Sequence, residues 1–560
     1  MKSPILSCAI ALTLSLGALS AVYADSATWN LNPTSGDWNT ANNWTPATVP
    51  NGRDDVASFS TSAITSIAVA EDVRVDSMVF NPGASAFTIM MGGNSGISGQ
   101  RSLTFKGQGI INNSGVTQNF INLASSVYPG GLIFEDSATA GDGNVIYNNG
   151  PDAFFEDSGQ TNFYETSAAG TSTFINNGTD QEIAGPRTQF YHHSSADHAV
   201  IINNPGGFVG GETDFYQNST AASCNITING GATIGDGYTS TRFSGYATAA
   251  DSTITITGSV KNTSGFAFLA FYGDSTAGNA VLIAEGAPSD GYGGNIEFWN
   301  NSSGGNARIE LFGNGNLDIS EHNAGVLGIG SLEGYGRVFL ATNTLSVGGN
   351  GLNTVFSGAI SGYGSLIKIG TGRLIMRGAN TYSGNIGPGQ GTTIRQGALV
   401  ADNTRGSATG SGSVVVQSGT LAGSGIIAGP VQIGDASGRG ALLSPGSGRN
   451  AFTFLTIQSA LSLISDATLR ILLNSDSGDA AGVIANGVTI SGAQFSIIDE
   501  GNGVLPSGTT LTAINNTAVT PILGVFSNLS DGGTITVGRN TFQASYEGGD
   551  GNDLTLIVVP

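Results

Sequence analysis

Cysteine and charged residues are both scarce in this chain of 560 residues. The two cysteines are Cys8 and Cys224, which excludes a framework of disulfides. Because Cys224 lies beside Asn225-Ile226, we expect a small buried residue there; an intermolecular bond or a reactive thiol is the alternative. Charged residues are 11% of the chain, against about 25% in ordinary globular domains, so apolar packing and backbone hydrogen bonds must stabilise the fold.

Lysine is almost absent, since Lys2, Lys106, Lys261 and Lys368 are its only occurrences. The net charge is −21. Nucleic acid and anionic lipid both need a basic surface that neutralises phosphate, so neither is expected as a partner. The scarcity of lysine also disfavours a polysaccharide lyase, although arginine could take that role.

Long apolar runs are missing beyond the first residues. Met1-Lys2 is followed by an apolar stretch, Ile5–Leu19, and then by Val22-Tyr23-Ala24. This order is typical of a secretory signal cleaved after Ala24, which would also remove Cys8. No later run reaches the 18 residues of a membrane-spanning helix. We therefore expect a secreted protein with no transmembrane segment after signal cleavage.

What the chain does have is a repeat between about residues 130 and 305. Seven segments carry an apolar or aromatic pair, then two turn-like residues, then Ser or Ala. The pairs are Ile133-Phe134, Phe163-Tyr164, Phe190-Tyr191, Phe215-Tyr216, Phe243-Ser244, Phe271-Tyr272 and Phe298-Trp299. From the second pair onward the steps are 27, 25, 28, 28 and 27 residues. A period in this range indicates repeats that stack and bury their apolar faces on one another.

Each repeat also contains short β-branched runs, such as Phe174-Ile175 and Ile201-Ile202. Most of these runs end in Asn or Gly, as in Asn176-Asn177-Gly178, which we interpret as tight turns. Two or three short strands in about 27 residues, without helical periodicity, predict one rung of a β-solenoid. A propeller blade would need about 40 to 50 residues, so a propeller does not fit the step.

Side chains alternate along a strand, so only one member of each pair can face the solenoid interior. The first position is always Phe or Ile, and we place a stacked ladder inside: Phe163, Phe190, Phe215, Phe243, Phe271 and Phe298. The second positions then form an outer aromatic ridge on the order of 30 Å long. Its members are Tyr164, Tyr191, Tyr216, Tyr272 and Trp299. This ridge is the candidate glycan-binding surface, and plain surface packing is the alternative.

The N-terminal part contains three tryptophans within a short stretch, Trp29, Trp38 and Trp44. A solenoid must close its terminal rung, because open strands would pair with other chains. We therefore expect a Trp-rich N-terminal cap, with a carbohydrate platform as the alternative.

Residues 362–384 carry a specific motif. They read Gly-Tyr-Gly-Ser-Leu-Ile-Lys-Ile-Gly-Thr-Gly-Arg-Leu-Ile-Met-Arg-Gly-Ala-Asn-Thr-Tyr-Ser-Gly, and Gly397-Ala-Leu399 follows. This closely resembles the autotransporter-associated β-strand repeat family, with departures at Met376 and at Asn385-Ile386. From the residues alone, Leu366, Lys368, Leu374 and Met376 form period-2 pairs, and we expect Asn380-Thr381-Tyr382 to fix the next corner through hydrogen bonds to the backbone.

The resemblance implies an all-β fold, a right-handed parallel β-helix (β-solenoid) exported to the cell surface or medium of a Gram-negative-type bacterium. We divide the chain into a signal peptide (1–24), an N-terminal cap with the first rungs (25–129), a solenoid of about 27-residue repeats (130–345), the segment of the named repeat (346–445), and C-terminal rungs with terminal strands (446–560).

No catalytic or metal-binding pattern stands out, and we predict no catalytic residues, no metal and no cofactor. His192, His193 and His198 are close in sequence, but His193 occupies a turn column that is filled elsewhere by Asp136, Thr166, Asn218, Tyr246, Asp274 and Asn301. Neighbouring carboxylates such as Asp499-Glu500 face opposite sides of a strand. Gly548–Asp553 resembles one calcium-binding β-roll repeat, and one copy cannot complete a site.

Three hypotheses remain. The first is a secreted, non-enzymatic structural or adhesive rod of roughly twenty rungs, estimated from the repeat length. The second is a polysaccharide lyase or hydrolase, in which carboxylates from different rungs converge. The third is a glycan-binding module that uses the ridge. Candidate partners are extracellular polysaccharide and other surface proteins.

Overall fold

The structure, a computed structural model, describes residues 26–92, 101–123, 130–149, 158–180, 185–233, 235–262, 265–323, 325–384, 391–446 and 451–560. The predicted signal peptide lies outside these ranges. The described chain winds as an all-β, parallel β-solenoid of about 17 turns, which confirms the predicted fold class. One short 3-10 helix, Ala41–Asn43, is the single helical element of these ranges, and none of their residues forms a helix that could span a membrane.

The first sheet contains one strand from each repeat, namely the strand that ends with the inner Phe. Its fifteen strands run in spatial order Trp44–Thr45, Ala27–Trp29, Val56–Phe59, Val73–Phe80, Arg101–Asn112, Gly130–Phe134, Gln160–Phe163, Arg187–Phe190, Glu212–Phe215, Thr239–Phe243, Ala267–Phe271, Asn295–Phe298, Asn316–Asp318, Arg337–Phe339 and Ala359–Ser361. All neighbours are parallel except the first two.

The second sheet runs along the molecule beside the first. Its parallel strands are Ser66–Val69, Thr88–Met91, Gln118–Asn122, Asn144–Asn149, Thr173–Asn177, Val200–Asn204, Asn225–Ile228, Thr253–Ile256, Val281–Ala284, Arg308–Leu311, Ser331–Gly334, Thr354–Phe356, Arg373–Met376, Ala398–Ala401, Gly419–Gly423, Ala441–Pro445, Ala467–Asn474 and Gln494–Asp499. A short strand, Asp479–Ala480, pairs antiparallel with Ala467–Asn474.

Two further sheets form in the C-terminal half. The third contains Val326–Ile329, Thr344–Val347, Ser365–Lys368, Gly391–Ile394, Ser413–Val416, Val431–Ile433, Leu461–Leu463 and Val488–Ile490. The fourth contains Ile426–Ile427, Phe454–Ile457, Gly482–Ala485, Thr510–Asn516, Asp553–Val559, Asn540–Gly548 and Thr534–Val537. The last three strands of the fourth sheet pair antiparallel, so the parallel winding ends there.

The phenylalanine ladder is observed as predicted, with every ring fully buried. Successive rings from Phe163 to Phe298 are 4.5 to 5.0 Å apart and tilted by at most 12° from one another. The stack extends backwards through Phe134 and Phe105. Parallel strands in register place equal residues one strand spacing apart, about 4.8 Å, which is also a favourable separation for stacked rings.

The predicted alignment of the first pair, Ile133-Phe134, with the later pairs of the repeat is wrong by one residue. The strand register pairs Phe134, and not Ile133, with Phe163. Asp136 consequently takes the turn position of Glu165 and His192, where all three residues have a left-handed φ of 52 to 56°, and not the position of Thr166. Ile133-Phe134 and Ser137 imitate the repeat pattern one residue early, which explains the misalignment, whereas the register pairs Thr139 with Ala168 and so places Ala138 at the position of Ser167.

The paired asparagines also differ from the prediction of tight turns. Asn176 and Asn203 are the next-to-last residues of two strands of the second sheet and point inward with no exposed surface. Each inner amide donates to the next: Asn148 Nδ2 to Asn176 Oδ1, and Asn176 Nδ2 to Asn203 Oδ1, both at 2.7 Å. Buried polar groups need hydrogen-bond partners, and here the asparagine at the same position of the next rung is that partner. A second ladder of Asn149, Asn177, Asn204 and Asn229 lies beside it, half-buried.

Trp29, Trp38 and Trp44 are fully buried at the first rungs. Trp29 and Trp38 each contact Trp44 edge to face, at 5.1 and 4.8 Å, and all three pack on Phe59. The strand Trp44–Thr45 covers the outer edge of Ala27–Trp29. The tryptophans therefore belong to the core, which leaves little ring surface for a carbohydrate.

Replacing Asn176 with alanine tests the inner ladder. Asn176→Ala leaves the buried Asn148 amide and Thr188 hydroxyl without the oxygen they share, so we expect a loss of about 1 to 3 kcal/mol in the free energy of unfolding. Asn177→Ala, in the half-buried ladder, should cost no more than about 0.5 kcal/mol. Denaturant unfolding measures both, and equal losses would contradict the role of the inner ladder.

Candidate binding surface

The predicted ridge residues lie outside the first sheet, each directly after an inner Phe, and all five are half-buried. The rings of Tyr164, Tyr191 and Tyr216 stack at 4.9 and 5.0 Å with tilts of 10 and 16°. Tyr272 and Trp299 form a second group at 5.7 Å. The ridge is therefore two groups of rings, separated at Ser244, and not one continuous stripe.

Stacking limits what the ridge can bind. Tyr191, the middle ring of the first group, has a neighbour on both faces, because the three rings are nearly parallel and one strand spacing apart. A sugar ring stacks on an aromatic face, so Tyr191 can offer a ligand only its edge and its hydroxyl. Free ring faces exist only at the ends of each group. The predicted glycan-binding role of the five residues stays a prediction.

A groove runs beside the ridge, along the turns that follow the first sheet. It encloses about 930 Å³ and is lined by Glu165, Thr166, Tyr191, His192, His193, Tyr216, Gln217, Asn218, Ser244, Gly245 and Tyr246. The turn residues Glu165, His192 and Gln217 share a left-handed φ of 52 to 58°, which aligns equal turns on successive rungs. Tyr246 projects from the equivalent turn of the next rung, where it follows Gly245, and is 69% exposed.

A charge cluster that sequence reasoning missed lies on the sheet beneath the rings. Arg242 Nε lies 2.8 Å from Asp214 Oδ1, and an Arg242 terminal nitrogen lies 2.7 Å from Glu212 Oε2. Arg187 approaches the same Glu212 oxygen at 3.6 Å. These side chains occupy outward positions one and three residues before the inner Phe. Charged residues at these fixed distances before the inner Phe are the sequence signal from which the cluster could have been predicted.

The cluster and the rings influence each other. Burial raises the pKa of Glu212, and Arg242 and Arg187 oppose the increase. Burial, with Asp214 as the next cause, raises the pKa of the Tyr216 hydroxyl. Burial likewise raises the pKa of Tyr164, Tyr191 and Tyr272. The ridge hydroxyls therefore remain protonated at neutral pH and act as hydrogen-bond donors.

The histidines are not brought to one point. His192 Nδ1 lies 3.7 Å from Glu165, His193 Nε2 pairs with Asn218 at 3.2 Å, and His198 Nδ1 lies 2.6 Å from Asp197. Within the described ranges no group of three or more His, Cys, Asp or Glu is placed to hold a metal ion. Asp553, in the stretch compared with a calcium site, accepts a hydrogen bond from the Asn516 N–H at 2.8 Å.

Cys224 is fully buried, as predicted, on the rung that follows Asn203. Burial raises the pKa of its thiol to about 12, so the unreactive thiol is the stable form at neutral pH. The alternatives of an intermolecular bond and a reactive thiol would both need exposure that Cys224 lacks.

The motif residues near position 370 behave as structural residues. Leu366, Lys368, Leu374 and Met376 are all buried. Lys368 Nζ donates to the carbonyls of Ile369, Gly370 and Gln396, and so closes a corner from inside.

The Asn-Thr-Tyr sequence fixes a second corner, as expected. Asn380 Nδ2 donates to Ala408 O at 2.7 Å, and Asn380 Oδ1 accepts from the Ile360 N–H at 2.8 Å. The buried Tyr382 hydroxyl pairs with Thr392 Oγ1 at 2.6 Å.

Residues 366–401 match the family model described as Passenger-associated-transport-repeat. The matched stretch spans the two corners closed by Lys368 and Asn380. The match and the solenoid together fit an autotransporter passenger-like repeat protein, which confirms the resemblance. No curated protein matches the chain in a sequence search.

Lys368 makes stability depend on pH. Burial lowers the pKa of its ammonium group from 10.5 to about 8. Between these values the unfolded chain binds more protons than the folded chain, so this residue's contribution to stability rises with pH across that window. Lys368→Met removes the titration and should flatten the rise. Denaturant unfolding at several pH values measures this, and a wild-type stability that falls with pH relative to Lys368→Met would contradict the account.

Proposed function

Since the chain carries a passenger-associated-transport-repeat within a stack of parallel rungs, we propose that it is a non-enzymatic, structural or adhesive rod. The rod is secreted by, or displayed at the surface of, a Gram-negative-type bacterium. The observation that carries this proposal is the long ladder of buried, equal side chains, which gives an extended molecule with one continuous core. Right-handed winding is part of the proposal.

The dimensions suit a display rod. About 17 turns, each advancing about 4.8 Å, give a stack about 80 Å long. A net charge of −21 on this rod keeps copies apart in solution. In the proposal, the tryptophan cluster on Phe59 is the N-terminal cap, because the antiparallel strand Trp44–Thr45 covers the edge of the strand before it.

The charge cluster beneath the ridge supports a structural role more than an enzymatic one. Glu212 and Asp214 are almost fully buried, and Arg242 contacts both. A buried carboxylate that is fixed by contacts to a guanidinium is poorly placed to reach a leaving group. The polysaccharide hydrolase or lyase is therefore the second choice for this cluster.

Incubation with polysaccharides tests the rod against the enzyme. Purified protein with a panel of acidic and neutral polysaccharides should release neither reducing ends nor unsaturated uronates, because no carboxylate of the cluster is free to act as an acid or base. Glu212→Gln is the matched control. Products released by the wild type and lost in Glu212→Gln would overturn the rod and favour the enzyme.

Glycan binding is a second candidate, carried by the groove of about 930 Å³ along the turns. Its lining combines aromatic edges with the amides of Gln217 and Asn218, a mixture typical of ligand pockets. Such binding would make the rod adhesive without giving it an activity. The ligand class is an extracellular polysaccharide. Because the chain is acidic, the sugar should carry little negative charge.

Tyr246 allows a clean test of glycan binding. Tyr246→Ala removes an exposed ring from the groove and should weaken retention on a glycan array about tenfold, equivalent to about 1.4 kcal/mol. Tyr363→Ala is the control, because Tyr363 is similarly exposed, at 71%, but lies in the motif segment. Equal retention of both variants and the wild type would place binding outside the groove.

A further inference from the structure

Ser244 interrupts the ridge at one rung. The strand register aligns Phe215, Phe243 and Phe271, so the residues that follow them, Tyr216, Ser244 and Tyr272, occupy equal positions on three successive rungs. The backbone hydrogen bonds Ser244 N–H to Phe215 O and Tyr272 N–H to Phe243 O, both 2.8 Å, hold this alignment. A tyrosine ring is therefore missing between two others.

The space left by that ring has defined dimensions. The inner Phe rings of the same rungs are 4.5 and 5.0 Å apart, and two rungs at that spacing place Tyr216 and Tyr272 about 9.5 Å apart. One further ring midway would lie about 4.7 Å from each, within the usual range for stacked aromatic groups. The groove along the turns opens into this gap, since Tyr216, Ser244 and Tyr246 all line it.

Polar groups surround the gap on the remaining sides. Ser244 forms its base, Tyr246 projects beside it from the turn, and Arg242 points outward from the same strand. The bonds of Arg242 to Asp214 and Glu212 direct its guanidinium toward the rung of Tyr216. Its side chain remains 28% exposed. The gap thus combines two aromatic walls with several hydrogen-bonding groups.

The charges around the gap favour an uncharged ligand. Arg187 and Arg242 are already neutralised by Glu212 and Asp214. Glu297, on the rung after that of Tyr272, adds a further carboxylate, whose charge contributes to the raised pKa of the Tyr272 hydroxyl. An acidic sugar would meet more negative than positive charge here, and its carboxylate would lose hydration without gaining a free cation.

We propose that the gap over Ser244 is a binding subsite for one neutral pyranose ring, held between the faces of Tyr216 and Tyr272. The ring stacks its C–H faces on the two tyrosines above the small Ser244 side chain, while its hydroxyl groups bond to Tyr246 and Arg242. Longer glycans continue along the groove toward Gln217 and Asn218. This subsite rests on the glycan-binding candidate and gives it a place and a ligand class.

Filling the gap tests the proposal. Ser244→Tyr supplies the missing ring in register and should weaken the binding of cellohexaose and maltohexaose at least tenfold in calorimetric titration. Ser244→Ala keeps the gap open and should bind within about threefold of the wild type, a difference of under 1 kcal/mol. Hexagalacturonate serves as the acidic comparison and should bind more weakly than either neutral probe.

A second pair of variants keeps the test decisive if Ser244→Tyr does not fold. Tyr272→Ser removes one wall and should also cost at least tenfold, while Tyr164→Ser removes a ring at the far end of the ridge and should leave binding unchanged. Neutral glycan binding that survives both Ser244→Tyr and Tyr272→Ser overturns the subsite but keeps a glycan-binding rod. Stronger binding of hexagalacturonate overturns the ligand class. A wild type that binds no probe overturns the subsite and the glycan-binding candidate together.

Discussion

Parallel strands in register impose one constraint on this molecule: whatever side chain a position carries, the same position on the next rung lies about 4.8 Å away. Phenylalanine, asparagine and tyrosine all profit from such a neighbour, because rings stack and amides bond at that spacing. The buried ladder from Phe105 to Phe298 and the inner asparagine ladder are two results of the same geometry. Stability therefore comes from repetition, which explains why disulfides and surface ion pairs can be so few.

The constraint also shapes the surface. A row of equal tyrosines uses up its own ring faces, so repetition alone yields packing and not a binding platform. Binding capacity arises where a column is broken. Ser244 in the tyrosine column and Tyr246 in a column of more polar turn residues are both such breaks, and they are two residues apart on one rung. The regular part of the chain thus forms the rod, and the exceptions to the repeat carry the candidate site.

The repeat length and the alternation of side chains were sufficient to predict the solenoid, the six stacked phenylalanines and the outward tyrosines. The inner asparagines could not be predicted in the same way, because Asn is usually a turn residue and only the tertiary register shows that Asn176 meets Asn148 and Asn203. The first pair was misaligned because Ile133-Phe134 and Ser137 imitate the repeat pattern one residue before the true position. The Glu212–Arg242 cluster was missed because its members belong to different rungs and are related only by their offset from the inner Phe.

Deleting one whole rung tests the central claim most directly. Removal of residues 191–215 joins Phe190 to Tyr216 and takes out one layer without shifting any ladder. We expect this variant to remain folded, with a single cooperative unfolding transition and a maximum dimension in solution scattering about 5 Å shorter. A deletion of about half that length should fail to fold, because it places loop residues in the ladders. Equal damage from both deletions would contradict a structure built on like residues stacked over like.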